Sequence, residues 1–179
     1  MSSQLVETSE ILLKAAQDRD QEPNKVIEAL LQAEKAARQS KDEATNMEML
    51  SKLTGNWRLV FTTGEKNVQD AVGKINYFPI KAVQQFDIEK SYIQNGVYLG
   101  PLSLVFSGDL QLNPKLRKLE FNFDRLALGP LSFGIGGKSV KDLEPKDVPF
   151  FSWIQVTEEY AVARGRGGGL ALWLRTEEA

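Results

Sequence analysis

The feature that most constrains this chain is a change of hydrophobic periodicity close to residue 53. Before that point, apolar residues recur at the spacing of a helix. After it, apolar and polar residues alternate, and the alternation is cleanest over residues 102–112. Its apolar members are Leu102, Leu104, Phe106, Leu110 and Leu112. A period of two puts these side chains on one face of a strand, so we predict a helical start followed by half-buried strands.

Three helices are predicted in the first part of the chain. Residues 4–18 carry an apolar stripe, and a second helix runs from Pro23, which the first helical turn tolerates, to about Gln39. A short third helix covers about 45–52. We expect the first two helices to form an antiparallel hairpin packed on the strands. A membrane-lying pair is the weaker alternative, because their charges are of both signs and form no basic face.

Seven or eight antiparallel strands are predicted after the helices, with short turns between nearly all of them. Their approximate ranges are 56–63, 83–89, 91–99, 102–112, 119–124, 131–133, 150–164 and 169–175. Closing such a meander into a barrel removes its exposed edges. The predicted fold class is therefore α+β, mainly β, with an N-terminal helical segment at 1–52 and an antiparallel β-barrel domain at 53–179. A barrel of about eight strands is either filled by side chains or holds one small ligand.

The composition excludes several kinds of chemistry. The chain has neither cysteine nor histidine, which rules out disulfides, thiolate catalysis, zinc–sulfur sites and histidine-based triads. The net charge of −2 provides no overall basic field that would attract nucleic acid or anionic lipid. We predict a protein that is not an enzyme and uses no cofactor and no metal. No signal peptide is recognised, and no apolar run approaches the roughly 20 residues that span a bilayer.

One glycine-rich segment, Arg164–Gly169, suggests two binding functions. It resembles a phosphate cradle of backbone amides and also a fragment of an arginine–glycine segment that binds nucleic acid. However, it lies between two predicted strands rather than between a strand and a helix, and it has no Walker lysine. Because glycine adopts positive φ at little steric cost, we interpret the segment as a hairpin turn.

Aromatic residues occur in most of the predicted strands, where they either fill the barrel or line a cavity for an apolar molecule. Ligand sites combine mostly apolar walls with a few polar anchors, which is the composition found here. The residues predicted to bind such a ligand are Trp57, Phe61, Phe86, Phe106, Gly108, Phe121, Phe123 and Ile154. By strict alternation, Phe61 belongs to the inward row of Trp57, and Ile154 belongs to that of Val156.

Gly108 interrupts an otherwise bulky apolar row and determines where the cavity is expected. A missing side chain at this point either admits a neighbour or leaves space. We predict an elongated apolar cavity of at least about 300 Å³ that opens beside Gly108 and Phe106. Phe86, Phe121 and Phe123 would line it. In that case Gly108→Leu should fill the cavity, abolish ligand binding and leave the fold intact.

Four blocks of sequence resemble the plastid lipid-associated proteins, also called fibrillins. The blocks are Leu53–Thr63, Asn76–Asp87, Leu126–Gly136, and Arg164–Gly165 with the glycines and Leu170 that follow. They occur in the order that the family has, and the resemblance covers about residues 50–175. It departs from the family pattern at Thr157, where relatives commonly have Asp, and at Ala161, where they have an Arg. Polar contacts that relatives make through those two positions therefore do not carry over to this chain.

The resemblance implies a lipocalin-like barrel that binds apolar lipids, either isoprenoids such as carotenoids and quinones or fatty acids, without a catalytic residue. It also implies a peripheral position on thylakoid membranes or plastoglobule lipid droplets, in a chloroplast or a cyanobacterium, and no nucleic-acid partner. With no transit peptide recognised, we expect a cyanobacterial protein or a plant protein that has lost its transit peptide. The alternative is a scaffold protein on such surfaces, with a packed barrel and no internal ligand. An enzyme would need a buried cluster of perturbed carboxylates and lysines in one cleft.

Two further expectations concern particular residues. Arg175, near the end of the last strand, is expected within about 6 Å of the centre of the Trp57 ring, as a cation–π contact. Residues 137–148 carry six charged side chains without an apolar period. We expect them to be the most mobile loop of the barrel half and to regulate access to an apolar groove. Deleting this loop would then leave thermal stability almost unchanged.

Overall fold

A computed structural model describes residues 3–39, 42–63 and 76–177 of the chain. The helices are α1 (Ser3–Asp18), α2 (Pro23–Ala37) and α3 (Glu43–Ser51). The strands are β1 (Gly55–Thr62), β2 (Lys81–Asp87), β3 (Tyr92–Leu99), β4 (Leu102–Asn113), β5 (Lys118–Leu128), β6 (Leu131–Gly134), β7 (Phe150–Val156), β8 (Tyr160–Gly165) and β9 (Leu170–Thr176). The helical start and the strand-rich remainder are as the change of periodicity predicts.

Eight of the strands form a closed antiparallel barrel. The order in the sheet is β4-β3-β2-β1-β9-β8-β7-β5, and pairing of β4 with β5 completes the ring. Strand β6 lies outside this ring and pairs with the last part of β5. The mainly β, lipocalin-like fold class predicted from the sequence is therefore confirmed.

One predicted strand, residues 150–164, is wrong, because the structure divides it into β7 and β8. The chain reverses at Thr157, whose backbone N–H donates to the carbonyl of Tyr160 at 2.9 Å. The Thr157 hydroxyl also accepts a hydrogen bond from the backbone N–H of Tyr160 at 2.9 Å. A side-chain hydroxyl stabilises this turn without glycine or proline, so the usual sequence signals of a turn are missing.

The helical hairpin of α1 and α2 packs on the outside of the barrel, as expected. Its buried side chains, including Leu12 and Leu30, form one cluster with Val60 of β1 and Leu172 of β9. The contact includes an ion pair in which Arg164 Nε lies 2.6 Å from a carboxylate oxygen of Glu34. Within the described residues, no helix combines the length and the apolar character that crossing a membrane requires.

Helix α3 closes the end of the barrel at which β1 begins, and we call this the closed end. Asp42 caps the helix by accepting a hydrogen bond from the backbone N–H of Thr45 at 2.8 Å. Asn46 donates a side-chain hydrogen bond to the carbonyl of Pro114 at 3.0 Å, which joins α3 to the β4–β5 connection. Leu50 and Leu53 are fully buried in the cluster that fills the barrel.

A bulge in β1 changes which side chains point into the barrel. In the register between β1 and β9, Leu59 pairs with Trp173 but Phe61 pairs with Leu172, so one extra residue is inserted. A bulge of this kind turns the following side chains to the other face. Phe61 therefore packs with the helices and meets Tyr77 edge to face at 5.1 Å, so its assignment to the inward row of Trp57 is wrong.

A second bulge, in β7, has the same effect on Ile154. The register against β8 shifts between Trp153 and Gln155, so that Trp153 and Val156 face the barrel interior while Ile154 packs towards the helices. The prediction that Ile154 faces inward with Val156 is therefore wrong. Trp153 takes the inward position instead.

Candidate functional site

The closed half of the barrel is filled with aromatic rings. Trp153 lies at its centre, with its ring centroid 5.3 Å from that of Trp173 and 5.7 Å from that of Phe86. Phe151 extends the group and stacks on Phe121 at 5.1 Å. Rings at these distances are in contact, so the predicted residues Phe86 and Phe121 do face inward but pack on aromatic neighbours. Whether they also touch a ligand stays a prediction.

The predicted contact between Arg175 and Trp57 is confirmed. The guanidinium carbon of Arg175 lies 4.3 Å from the ring centroid of Trp57. Arg175 also donates to the carbonyl oxygens of Thr54 at 3.0 Å and Glu158 at 2.8 Å. The indole N–H of Trp57 donates to the carbonyl of Leu53 at 2.7 Å. Arg175 and Trp57 therefore lie at the closed end, where their contacts join β1 and β9 to the segment after α3.

The interpretation of Gly108 as a gap in the core is wrong. A Cβ atom at this position would overlap the carbonyl oxygen of Asn122 and lie 2.8 Å from Cα of Phe123. The register between β4 and β5 shifts between Ser107 and Gly108, which brings the β5 backbone into the space that a side chain would occupy. Gly108 therefore admits the neighbouring strand, and Gly108→Leu would break this pairing rather than fill a cavity.

Beyond Gly108, the strands β3 to β6 continue as a curved extension whose inner face is apolar. We call residues 95–106 and 126–133 the mouth sheet. Cross-strand pairing gives two rows on its inner face, Val97-Leu104-Leu128-Leu131 and, nearer to Gly108, Asn95-Phe106-Leu126-Phe133. These rows continue the inward face that begins at Ile93 and Phe123 inside the barrel. The predicted residues Phe106 and Phe123 meet at this junction, with ring centroids 5.7 Å apart.

The mouth sheet exposes its apolar face, although an apolar face is normally the covered one. Leu102, Leu131 and Phe133 are all more than half exposed. The opposite face carries small polar side chains such as Ser103 and Ser132. A contiguous exposed apolar patch on a small protein usually marks a binding surface.

The exposure follows from the way β5 changes partners. Strand β7 pairs with β5 only at Lys118–Glu120. Residues 125–128 of β5 pair instead with the short strand β6. The mouth sheet therefore projects beyond the strands that would stand opposite it in a complete ring.

A buried polar group lies between the aromatic interior and the mouth sheet. Gln84 of β2 pairs with Asn95 of β3 and shares the inward face of Phe86. Its side chain is buried, and its Oε1 atom has no hydrogen-bond partner among the described residues. The indole nitrogens of Trp153 and Trp173 are also buried, and neither has a hydrogen-bond partner among the described residues. The sequence prediction missed Gln84, although its two-residue spacing from Phe86 already put it on the inward face.

Ile154, which was predicted to bind ligand in the barrel, lines a different space. It borders a cleft of about 210 Å³ between the helices and β7, together with Leu5 and Ala33. That volume is below the range of about 300 Å³ and above that is usual for small-molecule sites. We therefore do not assign ligand binding to this cleft.

The segment that follows β6 is held to the barrel more firmly than its charge suggests. Asp109 accepts hydrogen bonds from the Ser139 hydroxyl at 2.6 Å and from the backbone N–H of Val140 at 3.1 Å. Val140 and Val148 are buried. Removing residues 137–148 would expose core surface, so the expectation of unchanged stability is wrong. Their mobility and their control of access to a groove stay predictions.

The ionisable groups with shifted pKa values lie away from the mouth sheet. A hydrogen bond from Arg164 lowers the pKa of Glu34, and burial raises the pKa of Tyr77 and Tyr160; all of these groups lie on the helix-facing side. The Arg164–Gly169 segment forms the predicted hairpin turn, with the N–H of Gly165 donating to the carbonyl of Gly169 at 2.9 Å. Across the described residues, no group of three or more carboxylates is placed to hold a metal ion.

Comparison with known protein families gives one match. The sequence model of the PAP_fibrillin family matches residues 2–168. The match includes the helical hairpin as well as most of the barrel, and so extends further towards the N-terminus than the blocks at 50–175. A search of curated proteins found no significant match.

Proposed function

The chain belongs to the plastid lipid-associated protein (fibrillin) family, and on that premise we propose that it binds apolar lipids, isoprenoid or fatty acyl, without transforming them. The observation that carries the proposal is the exposed apolar face of the mouth sheet, which continues the inward face of the barrel. The binding site that we propose lies at the mouth of the barrel. It includes Phe106 and Phe123, whereas Trp57, Phe86 and Phe121 form the packed floor beneath it, and Phe61 packs with the helices outside the barrel.

Burial of hydrocarbon provides the binding energy in this proposal. Each CH₂ group removed from water contributes about 0.8 kcal/mol, so a chain of about sixteen carbons gains roughly 13 kcal/mol in total. The ligand's loss of translational and rotational freedom and the ordering of side chains offset at least about 4 kcal/mol of this gain. The remainder is at most about 9 kcal/mol, which corresponds to a dissociation constant of about 0.3 μM or weaker. Such an affinity suits a protein that takes up and releases its ligand.

Gln84 and Asn95 provide a polar anchor at the inner end of the proposed site. A primary amide both donates and accepts hydrogen bonds, so it can pair with a hydroxyl, a carbonyl or a protonated carboxyl group. We therefore expect the ligand to place its polar head near Gln84 and its hydrocarbon along the rows of Phe106 and Leu104. This arrangement has the apolar walls and few polar groups that ligand sites share.

Titration with a fluorescent polyene fatty acid tests the proposal, because bound polyene quenches the tryptophans of the barrel floor. The double variant Leu126→Ser/Phe133→Ser removes one cross-strand apolar pair from the inner face. We expect it to weaken binding about tenfold, equal to about 1.4 kcal/mol. Ser132→Ala lies on the opposite face of the same strand and should bind as the parent does. Equal affinity in both variants would put the ligand elsewhere.

A scaffold function is the second candidate, and the aromatic packing favours it. The rings around Trp153 are in contact, and the β5 backbone occupies the space beside Gly108. A protein of this kind would act through its surface and hold no internal ligand. If the parent binds no polyene at any concentration but still associates with lipid surfaces, the scaffold function replaces lipid binding as the conclusion.

We propose that the protein acts at photosynthetic membranes or lipid droplets, either in a chloroplast or in a cyanobacterium. Support comes from the family, which is plastid lipid-associated, and from the exposed leucines of the mouth sheet. Fractionation of the native host into thylakoids, droplets and soluble extract tests this location. Recovery of the protein in the soluble extract alone would contradict it.

A further inference from the structure

A five-residue sequence occurs twice in this chain, and the fold brings the two copies together. Leu-Gly-Pro-Leu-Ser is found at residues 99–103 and again at 128–132. The first copy forms the turn between β3 and β4, and the second forms the turn between β5 and β6. The backbone N–H of Gly129 donates to the carbonyl of Ser103 at 3.0 Å. The twin turns, as we call them, therefore lie side by side at the mouth end of the barrel.

Both turns have the same conformation at glycine and present leucines to the same side. Gly100 has φ +58° and Gly129 has φ +55°, and no atom lies within 4 Å of where a Cβ would be, so the space beside each glycine is open. The leucines that flank the two turns pair across their hairpins on the inner face. Their exposed fractions are 55% for Leu99, 65% for Leu102, 51% for Leu128 and 58% for Leu131.

An apolar turn is unusual, because exposed turns are normally built from polar residues. Here the four leucines and two prolines form the tips of two neighbouring hairpins, at the end of the mouth sheet. A flat apolar face suits the surface of another folded protein, and a groove suits a peptide segment. Apolar hairpin tips suit a fluid hydrocarbon phase, which needs no complementary shape.

No acidic residue lies within the two segments that carry the twin turns, although Asp124 immediately precedes the second segment. Residues 97–106 and 125–138 contain no aspartate and no glutamate, and their only charged residues are Arg125 and Lys138. The whole chain, by contrast, has 24 acidic and 22 basic residues. Behind the leucines, Lys81 pairs with Tyr98 beside the first turn and Arg125 pairs with Gly134 behind the second. Lys138 lies further down the barrel, next to Ser139, whose hydroxyl donates to Asp109. Basic residues next to an inserted apolar segment are attracted to anionic headgroups.

We propose that the twin turns dock this protein on a lipid surface that contains anionic headgroups. The four leucines enter the hydrocarbon, while Lys81 and Arg125 stay at the depth of the headgroups. The inference deepens the proposed function, on which it rests for the presence of a lipid phase, and it assigns the surface and the orientation. The mouth sheet then faces the lipid.

Flotation with vesicles measures this docking. The probes are vesicles of phosphatidylcholine alone and vesicles that also contain phosphatidylglycerol. We expect the parent to float with the anionic vesicles and the double variant Leu99→Ser/Leu102→Ser to lose at least about tenfold in binding. Leu116→Ser is the matched control, because Leu116 is 57% exposed but lies in the β4–β5 connection at the closed end. All three substituted leucines are exposed, so the variants should keep the thermal stability of the parent.

A single label gives an independent measurement of orientation. The chain has no cysteine, so Leu131→Cys or Leu116→Cys carries one environment-sensitive dye at a known place. With anionic vesicles, we expect the dye at position 131 to shift to shorter wavelength and to be quenched by lipids brominated in the acyl chain. The dye at position 116 should show neither change. Equal responses at the two positions would overturn the proposed orientation.

The outcomes separate this inference from the proposed function. Loss of flotation in the Leu99→Ser/Leu102→Ser variant, with polyene binding from solution retained, supports docking by the twin turns, because these two leucines lie outside the rows proposed to hold the ligand. A parent that floats but binds no polyene refutes the proposed ligand site and leaves docking supported. Unchanged flotation of the variant, or equal flotation of the parent with neutral and anionic vesicles, overturns the inference. A parent that is a dimer in solution and a variant that is a monomer would also overturn it, since a second copy would then cover the leucines.

Discussion

Replacing Gly108 by alanine should destabilise this protein far more than the addition of one methyl group suggests. The new Cβ would overlap the carbonyl oxygen of Asn122 and lie 2.8 Å from Cα of Phe123. Both neighbours are backbone atoms, so neither can rotate away as a flexible side chain would. Relief requires β4 and β5 to separate at the centre of the longest strand pair of the barrel.

The magnitude follows from the cost of overpacking. Extra carbon atoms in a packed core typically cost 1–3 kcal/mol, and occasionally more when the backbone must move. Because the clash at Gly108 is entirely with backbone, we expect about 3 kcal/mol for Gly108→Ala. For a chain of this length, 1 kcal/mol corresponds to a change of about 2–4 °C in Tm. The expected loss in Tm is therefore about 6–12 °C.

Thermal and urea unfolding measure this effect, with Gly134→Ala as the matched control. Gly134 also lies in a strand, but no atom lies within 4 Å of its would-be Cβ, and its φ is not positive. Alanine there should be neutral or stabilise the fold by up to about 1 kcal/mol. In urea, Gly108→Ala should lower the midpoint without changing the slope m. Equal Tm values for the two variants would refute the assignment of the space beside Gly108 to the β5 backbone.

Substitutions at two further positions test the closed end and the helix-facing side. Arg175→Leu removes the hydrogen bonds to Thr54 and Glu158 and the contact with Trp57, so we expect a loss of about 1–3 kcal/mol in the free energy of unfolding. Arg175→Lys should recover less than half of it in urea unfolding, whereas full recovery would mean that charge alone matters. The pKa of Glu34 is lowered because Arg164 donates a hydrogen bond to its carboxylate. The stabilisation that this pair provides is therefore fully present above the ordinary glutamate pKa of 4.5 and is lost as the pH falls through the lowered pKa. The stability advantage of the parent over Glu34→Gln, measured by urea unfolding across pH, should therefore shrink below pH 4.5, and a pH-independent difference would contradict the role of this pair.

Periodicity predicted most of the architecture because the barrel buries one face of each strand. The alternation over residues 102–112 becomes β4, and the helical spacing over 4–18 becomes α1. The contact between Arg175 and Trp57 was also predictable, since an antiparallel closing strand brings the end of β9 beside the start of β1. In these cases a local pattern and the overall topology lead to the same placement.

The bulges could not be predicted from this pattern. A single inserted residue reverses the faces that follow it, and no glycine or proline marks the insertions beside Phe61 and Ile154. Phe61 and Ile154 are both apolar. An apolar side chain at either position is buried whichever face of the sheet it lies on, because the helices cover the outside there. With apolar residues on both faces, alternation loses its power to distinguish them.

The role of Gly108 and the exposure of the mouth sheet depend on tertiary structure in a similar way. A glycine in an apolar row is compatible with a gap or with close approach of a neighbouring strand, and only the β5 register decides between them. The rows that include Leu104 and Leu128 have the alternation of a buried strand. Nothing in that alternation indicates that the strands on the opposite side of the barrel end before they reach these residues.

Strand length accounts for both the mouth sheet and the twin turns. Strands β4 and β5 have 12 and 11 residues, whereas β7 and β9 have 7 each. The first part of β4 and the last part of β5 therefore extend past the shorter strands and carry their inward apolar face with them. A hollow interior is not needed to generate an apolar binding surface in this fold. With the twin turns inserted in lipid, that face would open onto hydrocarbon, and an apolar ligand would reach Phe106 without crossing water.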